Sequence, residues 1–402
     1  MAKKIAVIGG GGAGMMAAYV AAKEGKQVTL FEKNNMLGRK LLITGKGRCN
    51  VTNNCDVEEL IRNVTHNAKF LYSAFSEFSS KDTIDFFEKA GVALKTERGR
   101  RVFPESDRSV DIVNALRKAV KDYKVKVINE SVSGVTNECV VQFGNKSEKF
   151  DSVIIATGGK SYPLTGSTGD GYKFALNLGH SVTELRPALA PIETQEKWVK
   201  NAAGLSLKNT DLICLVNGKK IFYERGEMLF THRGISGPMV LSLSSVLKEN
   251  DFENAEIIID LKPALDEQTL DKRILREFEF DKNKIVKNVI RKLLPQSVIE
   301  PFLVLANVNG EKKVNSVTSE ERLRIVKTMK KIKLTPKAYG GFDEAIITAG
   351  GISVKEINPK TMESKLVKGI YFAGEIIDVD AYTGGYNLQI AFSTGYLAGK
   401  NA

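Results

Sequence analysis

Three rhythms of apolar and polar positions divide the chain. The first is a short unbroken apolar run, "KKIAVI", that stops at four consecutive glycines; "AGMMAAYVAAKEGK" follows, apolar at helical spacing, and then a second apolar run, "QVTLFEK", ending at Glu32. This predicts strand, turn, helix, strand. The same buried-strand signature returns in "DSVIIATGGKSYP", over Val153 to Ala156, and in "KGIYFAGE", ending at Gly374-Glu375 before a glycine-rich turn that opens a helix at about Asn387. Fully apolar strands alternating with helices predict an α/β fold with a parallel sheet.

After "LRPALAPI" the second rhythm begins. "LKNTDLICLVNGKKIFYERGEMLFTHRGISGP" reads as short alternating strands with a turn at Asn217-Gly218. The third runs from Asp266 to Lys333, where "LDKRILREFEFDKNKIVKNVIRKLLPQ" and "SEERLRIVKTMKKIKL" have helical period and many lysines. Three domains are therefore expected. One is discontinuous, residues 1–186 with 343–402; one is β-rich, 187–262 with 334–342; one is basic and helical, 263–333. Residues 56–91 read as a helical insertion capping the first.

The opening turn fits GxGxxG at Gly9, Gly11 and Gly14. Gly9 permits the tight turn, Gly11 lets backbone approach a pyrophosphate, and Gly14 lets helix and strand pack closely. The helix start at Gly12 and Ala13 then offers free N–H groups to phosphate. Glu32 lies eighteen residues after Gly14, where a carboxylate can accept the hydroxyls of an adenosine ribose. NAD and FAD share this fingerprint. The late glycine-rich segment favours FAD, whose ring extends well beyond the pyrophosphate, because a helix starting at Tyr386 to Gln389 can stabilise negative charge on a reduced flavin. No second GxGxxG follows, which argues against a second, tightly held nucleotide.

Composition sets outer bounds. The 402 residues are 43% hydrophobic and 26% charged, within the globular range. No apolar run is long enough to span a bilayer, so no membrane partner is expected. Cys49, Cys55, Cys139 and Cys214 show no CxxC pair and no metal spacing, which suits a reducing cytoplasmic compartment and predicts no metal site.

With these segments in hand, the chain resembles the BaiN/YhiN-like three-domain flavoproteins. The resemblance rests on "GRKLLITGKGRCNVTN", "GRRVFPESDRSVDIV", "ATGGKSYPLTGSTGDGYKFALNLGH", "GEMLFTHRGISGP" and "AGEIIDVDAYTGGYNLQIAFSTG". It implies a Rossmann-like FAD-binding domain of the glutathione-reductase-like type with an inserted β-rich domain and an inserted small helical domain. It makes Gly38 to Asn50 a flavin loop, with Arg39 and Lys40 near the pyrophosphate and Gly45, Gly47, Arg48, Cys49 and Asn50 near the isoalloxazine. Lys33, Val132, Ala156, Thr157, Gly158, Gly374, Glu375, Asp378, Gly385, Tyr386, Asn387, Leu388 and Gln389 complete the implied cofactor set.

The resemblance is specific for a family and not for one reaction. Its members are assigned bile-acid enones, ribosomal RNA uridine or small amines as substrates. An NAD(P)H-driven reductase of a conjugated C=C bond is the favoured reading, with NAD(P)H as a transient reductant. A flavin oxidase of small amines and a non-catalytic flavin- and RNA-binding protein are the alternatives. Candidate proton donors are Cys49, which also reads as a small packing residue, His232, which also reads as a turn-stabilising residue, and Tyr386; Tyr162 and Tyr382 are further phenols near the expected ring. His66 and His180 read as structural.

Charge selects among substrates. The formal net charge is +12, and residues 266–337 hold 17 Lys/Arg against 10 Asp/Glu. A solvated helix face explains such lysines as well as a partner does, but RNA gives a reason for a positive domain that a steroid or small amine does not. Uridine of 23S rRNA, reduced to dihydrouridine, becomes the leading substrate, with RNA affinity expected at Lys284, Lys287, Arg291, Lys292, Arg322, Lys327, Lys330 and Lys331.

Overall fold

The computed structural model describes residues 2–402. Two compact units emerge, one holding the chain up to Ala188 together with Gly341–Ala402, the other Leu189–Gly340.

The first unit is built on a five-stranded parallel sheet. Its strands are β1 (Lys4–Ile8), β2 (Gln27–Phe31), β3 (Lys126–Ile128), β4 (Ser152–Ile155) and β5 (Ile370–Phe372), in the order β5-β4-β1-β2-β3. The central strands are buried on both faces, which is why their sequences are unbroken apolar runs and not alternating ones. Two helices cross one another over the sheet, α1 (Gly12–Lys23) and α2 (Tyr386–Asn401). A Cβ at Gly395 would lie 2.4 Å from Ala13 O, and one at Gly399 would lie 2.4 Å from Ala17 O, so these small residues set the close approach of the two helices. Phe392 is fully buried between them, a contribution of about 1.5–3 kcal/mol.

The expected helical insertion is present but interrupted. Val57–Arg62, Tyr72–Glu77 and Ser80–Lys89 are helical, and Asp56 and Ser79 cap the first and last of them. Between them Val64–His66 pairs antiparallel with Asp380–Ala381. A three-stranded sheet of Val132–Val135, Val140–Phe143 and Lys146–Lys149 packs Phe143 on Phe31, ring centroids 4.9 Å apart.

The second unit carries a seven-stranded sheet and five α-helices, so the β-rich and basic helical stretches lie within one compact unit. The strands around Asn217-Gly218 are long, not short as expected: Ser206–Val216 and Lys219–Phe230 pair over 11 and 12 residues. Asn217 and Gly218 both have positive φ (50° and 73°), the geometry a two-residue hairpin needs. The helices are Pro238–Val246, Glu267–Phe280, Val286–Ile290, Gln296–Leu305 and Ser319–Lys330.

Several cations of the lysine-rich stretch are held in ion pairs. Lys284 pairs with Asp281, Lys287 with Glu311, Lys292 with Glu277 and Asp281, Arg322 with Asp271, and Lys330 with Asp260. The side chains of Arg322 and Lys330 are only 19% and 16% exposed. Lys330 also donates to the carbonyls of Lys262 and Leu265. Five of the eight cations expected to meet RNA are thus committed to carboxylates of their own unit. Among the described residues, no helix is long and apolar enough to cross a membrane.

Candidate functional site

The parallel sheet brings the C-terminal ends of β1, β2, β4 and β5 to one edge, and most of the expected cofactor residues sit there. Gly9 turns with φ 103°, and a Cβ on it would lie 2.5 Å from Ala156 O. One on Gly14 would lie 1.8 Å from Gly9 O. At Gly11 a Cβ would meet nothing within 4 Å, so the glycine leaves space over the start of α1. That helix has neither a side-chain cap nor an acid in its first turn. Its free N–H groups and positive dipole end face the space at Gly11, as a phosphate requires.

Glu32, at the end of β2, is buried and held from three directions. Its Oε2 accepts from Gly10 N at 2.7 Å, and its Oε1 accepts from Asn34 N at 2.9 Å and from Asn34 Nδ2 at 2.6 Å. Three of roughly four acceptor positions are therefore engaged, and the carboxylate orders the turn as well as offering an acceptor to a ribose. Gly38 N donates to Gly10 O, which fixes the entry of the Gly38–Asn54 loop beside the GxGxxG turn. Lys33 pairs with Asp170, and Arg39 donates to Asn34 Oδ1. Lys40 Nζ reaches Glu375 Oε2, whose Oε1 accepts from Thr348 N. A Cβ on Gly374 would touch Ala13 Cβ at 2.8 Å. Gly158, with φ 74°, continues from Ala156 and Thr157 at the end of β4.

Two buried polar atoms in this group lack a hydrogen-bond partner, Asn50 Oδ1 and Thr157 Oγ1. Buried polar atoms are ordinarily paired. Together with the open space at Gly11 they fit a bound dinucleotide: α1 would hold its pyrophosphate, and Thr157 and Asn50 would find partners in the cofactor.

The rest of the flavin loop is a sequence of left-handed residues after the short helix Arg39–Ile43. Lys46 and Cys49, neither of them glycine, have φ 58° and 59°. Three expected roles change here. Cys49 is fully buried, with no exposed surface from which to meet a substrate, which fits a packing residue; burial also pushes its thiol up to about 12. Arg48 is bound by Glu97 and Asp107 and lies over the Phe103 ring, so its charge is already matched by carboxylates. Gln389 is spent in the core: its Oε1 accepts from Thr52 and Thr83, and its Nε2 donates to Phe78 O and Ser393.

The start of α2 keeps its expected place. Gly385 precedes it with φ 99°, and a Cβ there would lie 2.4 Å from Thr52 O. Tyr386 is 8% exposed, and burial first, with the charges of Cys55 and Glu59 adding, pushes its phenol up to about 12. Asn387 is turned back to Ala381 and Tyr382, and Leu388 packs on the core. The Asp378 carboxyl is raised by burial, and Asn67 donates to it. Val132 starts the first strand of the three-stranded sheet. His232 lies in the second unit, exposed in the turn before Gly234–Ser236.

Two features escape a sequence reading. His66, read as structural, has its Nδ1 2.6 Å from Asp380 Oδ1; that carboxylate is 1% exposed and also accepts from Thr65. Asn53 Nδ2 donates both to Gly99 O (3.0 Å) and to Gly384 O (3.1 Å). Neither pairing carries a local signal, since His66 and Asp380 lie 314 residues apart in the chain and Asn53 and Gly384 lie 331 apart.

Comparison with known proteins agrees with this architecture. The HI0933-like protein Rossmann domain family matches residues 3–401. The chain is 32% identical over 401 residues to the ribosomal RNA dihydrouridine synthase of Haemophilus influenzae, covering 97% of this chain and 96% of that one. It is 29% identical over 409 aligned residues to the 3-dehydro-bile acid delta(4,6)-reductase of Clostridium scindens, covering 99% and 98%. Among solved structures, 3-ketosteroid delta1-dehydrogenase from Sterolibacterium denitrificans aligns over 99% of both chains with TM-score 0.53 at 12% identity. A flavocytochrome c3 fumarate reductase aligns over 100% of this chain and 78% of its own with TM-score 0.51 at 17% identity. At such identities the structural likeness speaks for the fold alone. A GxGxxG turn on a parallel sheet, a carboxylate closing β2, and a family match across nearly the whole chain lead to one conclusion: the chain belongs to the HI0933-like family of Rossmann-domain, FAD-dependent oxidoreductases.

Proposed function

We propose that the protein is an NAD(P)H-driven reductase of a conjugated C=C bond and that its substrate is a uridine of 23S rRNA, converted to dihydrouridine. The observation that carries this reading is the 32% identity to a ribosomal RNA dihydrouridine synthase, because it runs through both units and not the FAD unit alone. A steroid-type enone is the second reading, favoured by the equally extensive match to a bile-acid reductase. Both reactions add two hydrogens across a polarised double bond.

Bound FAD supplies the hydride to the electron-poor carbon. The chain's own residues do the rest. The start of α1 would hold the pyrophosphate, Glu32 would take a ribose hydroxyl, and the positive end of α2 would stabilise negative charge on the reduced ring. Tyr386, at that helix start, keeps its proton at neutral pH and can deliver it to the neighbouring carbon. A uracil must leave its stack to reach this point.

Reduced holoprotein, mixed anaerobically with substrates, tests the proposal. 23S rRNA lacking dihydrouridine should restore the oxidised flavin absorbance and gain dihydrouridine. Reoxidation by a dienone bile acid and not by rRNA would move the assignment to the second reading.

A further inference from the structure

The first unit carries a cationic surface that the function so far leaves unused. The strands Leu94–Glu97 and Arg101–Pro104 form a hairpin whose tip is Arg98-Gly99-Arg100, and Arg98, Arg100 and Arg101 are all exposed. A Cβ on Gly99 would meet nothing within 4 Å, so that side of the tip is open. Among the described residues no carboxylate lies within ion-pair distance of these three guanidinium groups. The nearby acids are engaged elsewhere: Glu97 with Arg48 and Lys95, Asp107 with Arg48 and Lys95, and Glu59 with Arg62, while Asp56 caps the helix Val57–Arg62. Arg101 Nε donates to Arg98 O and its guanidinium carbon lies 5.8 Å from the Phe103 ring centroid, so the group is held in place while the residue stays exposed.

Position gives this surface meaning. Thr52–Asn53, which continues the flavin loop, pairs directly with Arg101 and Val102. The Asn53 amide ties Gly99 O to Gly384 O, so one side chain fastens the arginine tip to the turn that opens α2. Arg100 is near enough for its charge to act on the Tyr386 phenol. The free arginines therefore stand beside the end of the site where a substrate double bond would be reduced. Among the second unit's cations expected to meet RNA, by contrast, Lys284, Lys287, Lys292, Arg322 and Lys330 are paired with carboxylates.

We propose that Arg98, Arg100 and Arg101 form a docking surface for the phosphodiester backbone of RNA next to the base being reduced. This rests on the RNA reading given above and assigns it a place. Guanidinium groups suit the task, since each can meet phosphate oxygens through two N–H donors. An exposed tip with three cations suits a continuous polyanion better than the single 2′-phosphate of NADPH, which calls for a concave pocket.

The test is fluorescence anisotropy of a fluorescein-labelled, uridine-rich RNA stem-loop titrated with FAD-loaded protein at 50 to 300 mM KCl. The variant combines Arg98→Gln, Arg100→Gly and Arg101→Gln; glycine accommodates the φ of 59° at position 100. A control combines Lys121→Gln, Lys126→Gln and Lys146→Gln, three exposed lysines outside the expected RNA set. FAD content and Tm establish that both fold. The expected result is that the tip variant binds at least tenfold more weakly, with a log–log salt slope smaller by roughly 2, as three lost single-strand contacts imply, while the control matches the parent. Parent-like RNA affinity and slope in the tip variant would overturn the surface and leave the RNA reading standing, as would equal losses in tip and control variants. Loss confined to flavin reduction by NADPH would reassign the arginines to that phosphate. No salt-dependent RNA binding by the parent would overturn both the surface and the RNA substrate.

Discussion

Lys40 Nζ lies 2.7 Å from Glu375 Oε2, and this ion pair, with both side chains less than a quarter exposed, fastens the flavin loop to the end of β5. Glu375→Ala leaves Lys40 partly buried and unpaired and frees Thr348 N. The expected outcome is a loss of about 1.5–3 kcal/mol, read as a lower midpoint in urea, together with a lower flavin-to-protein absorbance ratio after dialysis. An unchanged midpoint and ratio would show that the pair does not hold the loop.

Gly11 and Gly14 should fail in different ways. Gly14→Ala places a methyl against Gly9 O, so the apoprotein itself should lose roughly 1–3 kcal/mol or more. Gly11→Ala puts its methyl in open space with an ordinary backbone φ of −79°, so the apoprotein Tm should hold while FAD retention falls. Calorimetry of the two apoproteins, beside FAD and FMN chromatography of the heat-released cofactor, separates packing from phosphate approach. Release of FMN in place of FAD would contradict the adenosine site at Glu32.

Alkaline pH should expose the buried thiol. Cys49 ionises at about 12 when folded against an ordinary value of 9.0, so its contribution to stability is complete below pH 9 and is lost as pH rises toward 12. Cys49→Ala should flatten the decline of stability between pH 9 and 12. The native thiol should resist a disulfide reagent at pH 8 until denaturant is added; prompt labelling of Cys49 would contradict its burial.

Tyr386→Phe removes the proposed proton donor and keeps the ring that packs at the start of α2. FAD content should remain, and the rate of substrate-driven flavin reoxidation should fall by roughly 10²–10⁴. A rate within threefold of the parent would pass the role to another group, with His66, held by Asp380, the first to examine.

Much of the FAD site is legible in the sequence because its requirements are local. Gly9, Gly11 and Gly14 are spaced by the geometry of one turn, and Glu32 by the length of one helix and one strand. What the sequence hides is the partner that consumes a side chain. Arg48 looks free until Asp107 and Glu97 fold beside it. Gln389 looks like a cofactor ligand until Thr52, Thr83 and Phe78 O surround it. Lys284, Lys287, Lys292, Arg322 and Lys330 look free until their carboxylates are placed, although the net surplus of the stretch remains. Close helix packing was hidden for the same reason, since Gly395 and Gly399 reveal nothing until Ala13 and Ala17 lie opposite them.

The crossing of α1 and α2 also bears on how the protein is made. Lys26 Nζ donates to the carbonyls of Gly399 and Lys400, the first of these contacts spanning 373 residues of chain. At synthesis rates of about 5–20 residues per second, the apolar face of α1 waits roughly 20–75 s for its partner. During translation that face, with Ala13 and Ala17 uncovered, is open to chaperones or to a neighbouring nascent chain. The second unit, contiguous from Leu189 to Gly340, can close on itself in the meantime.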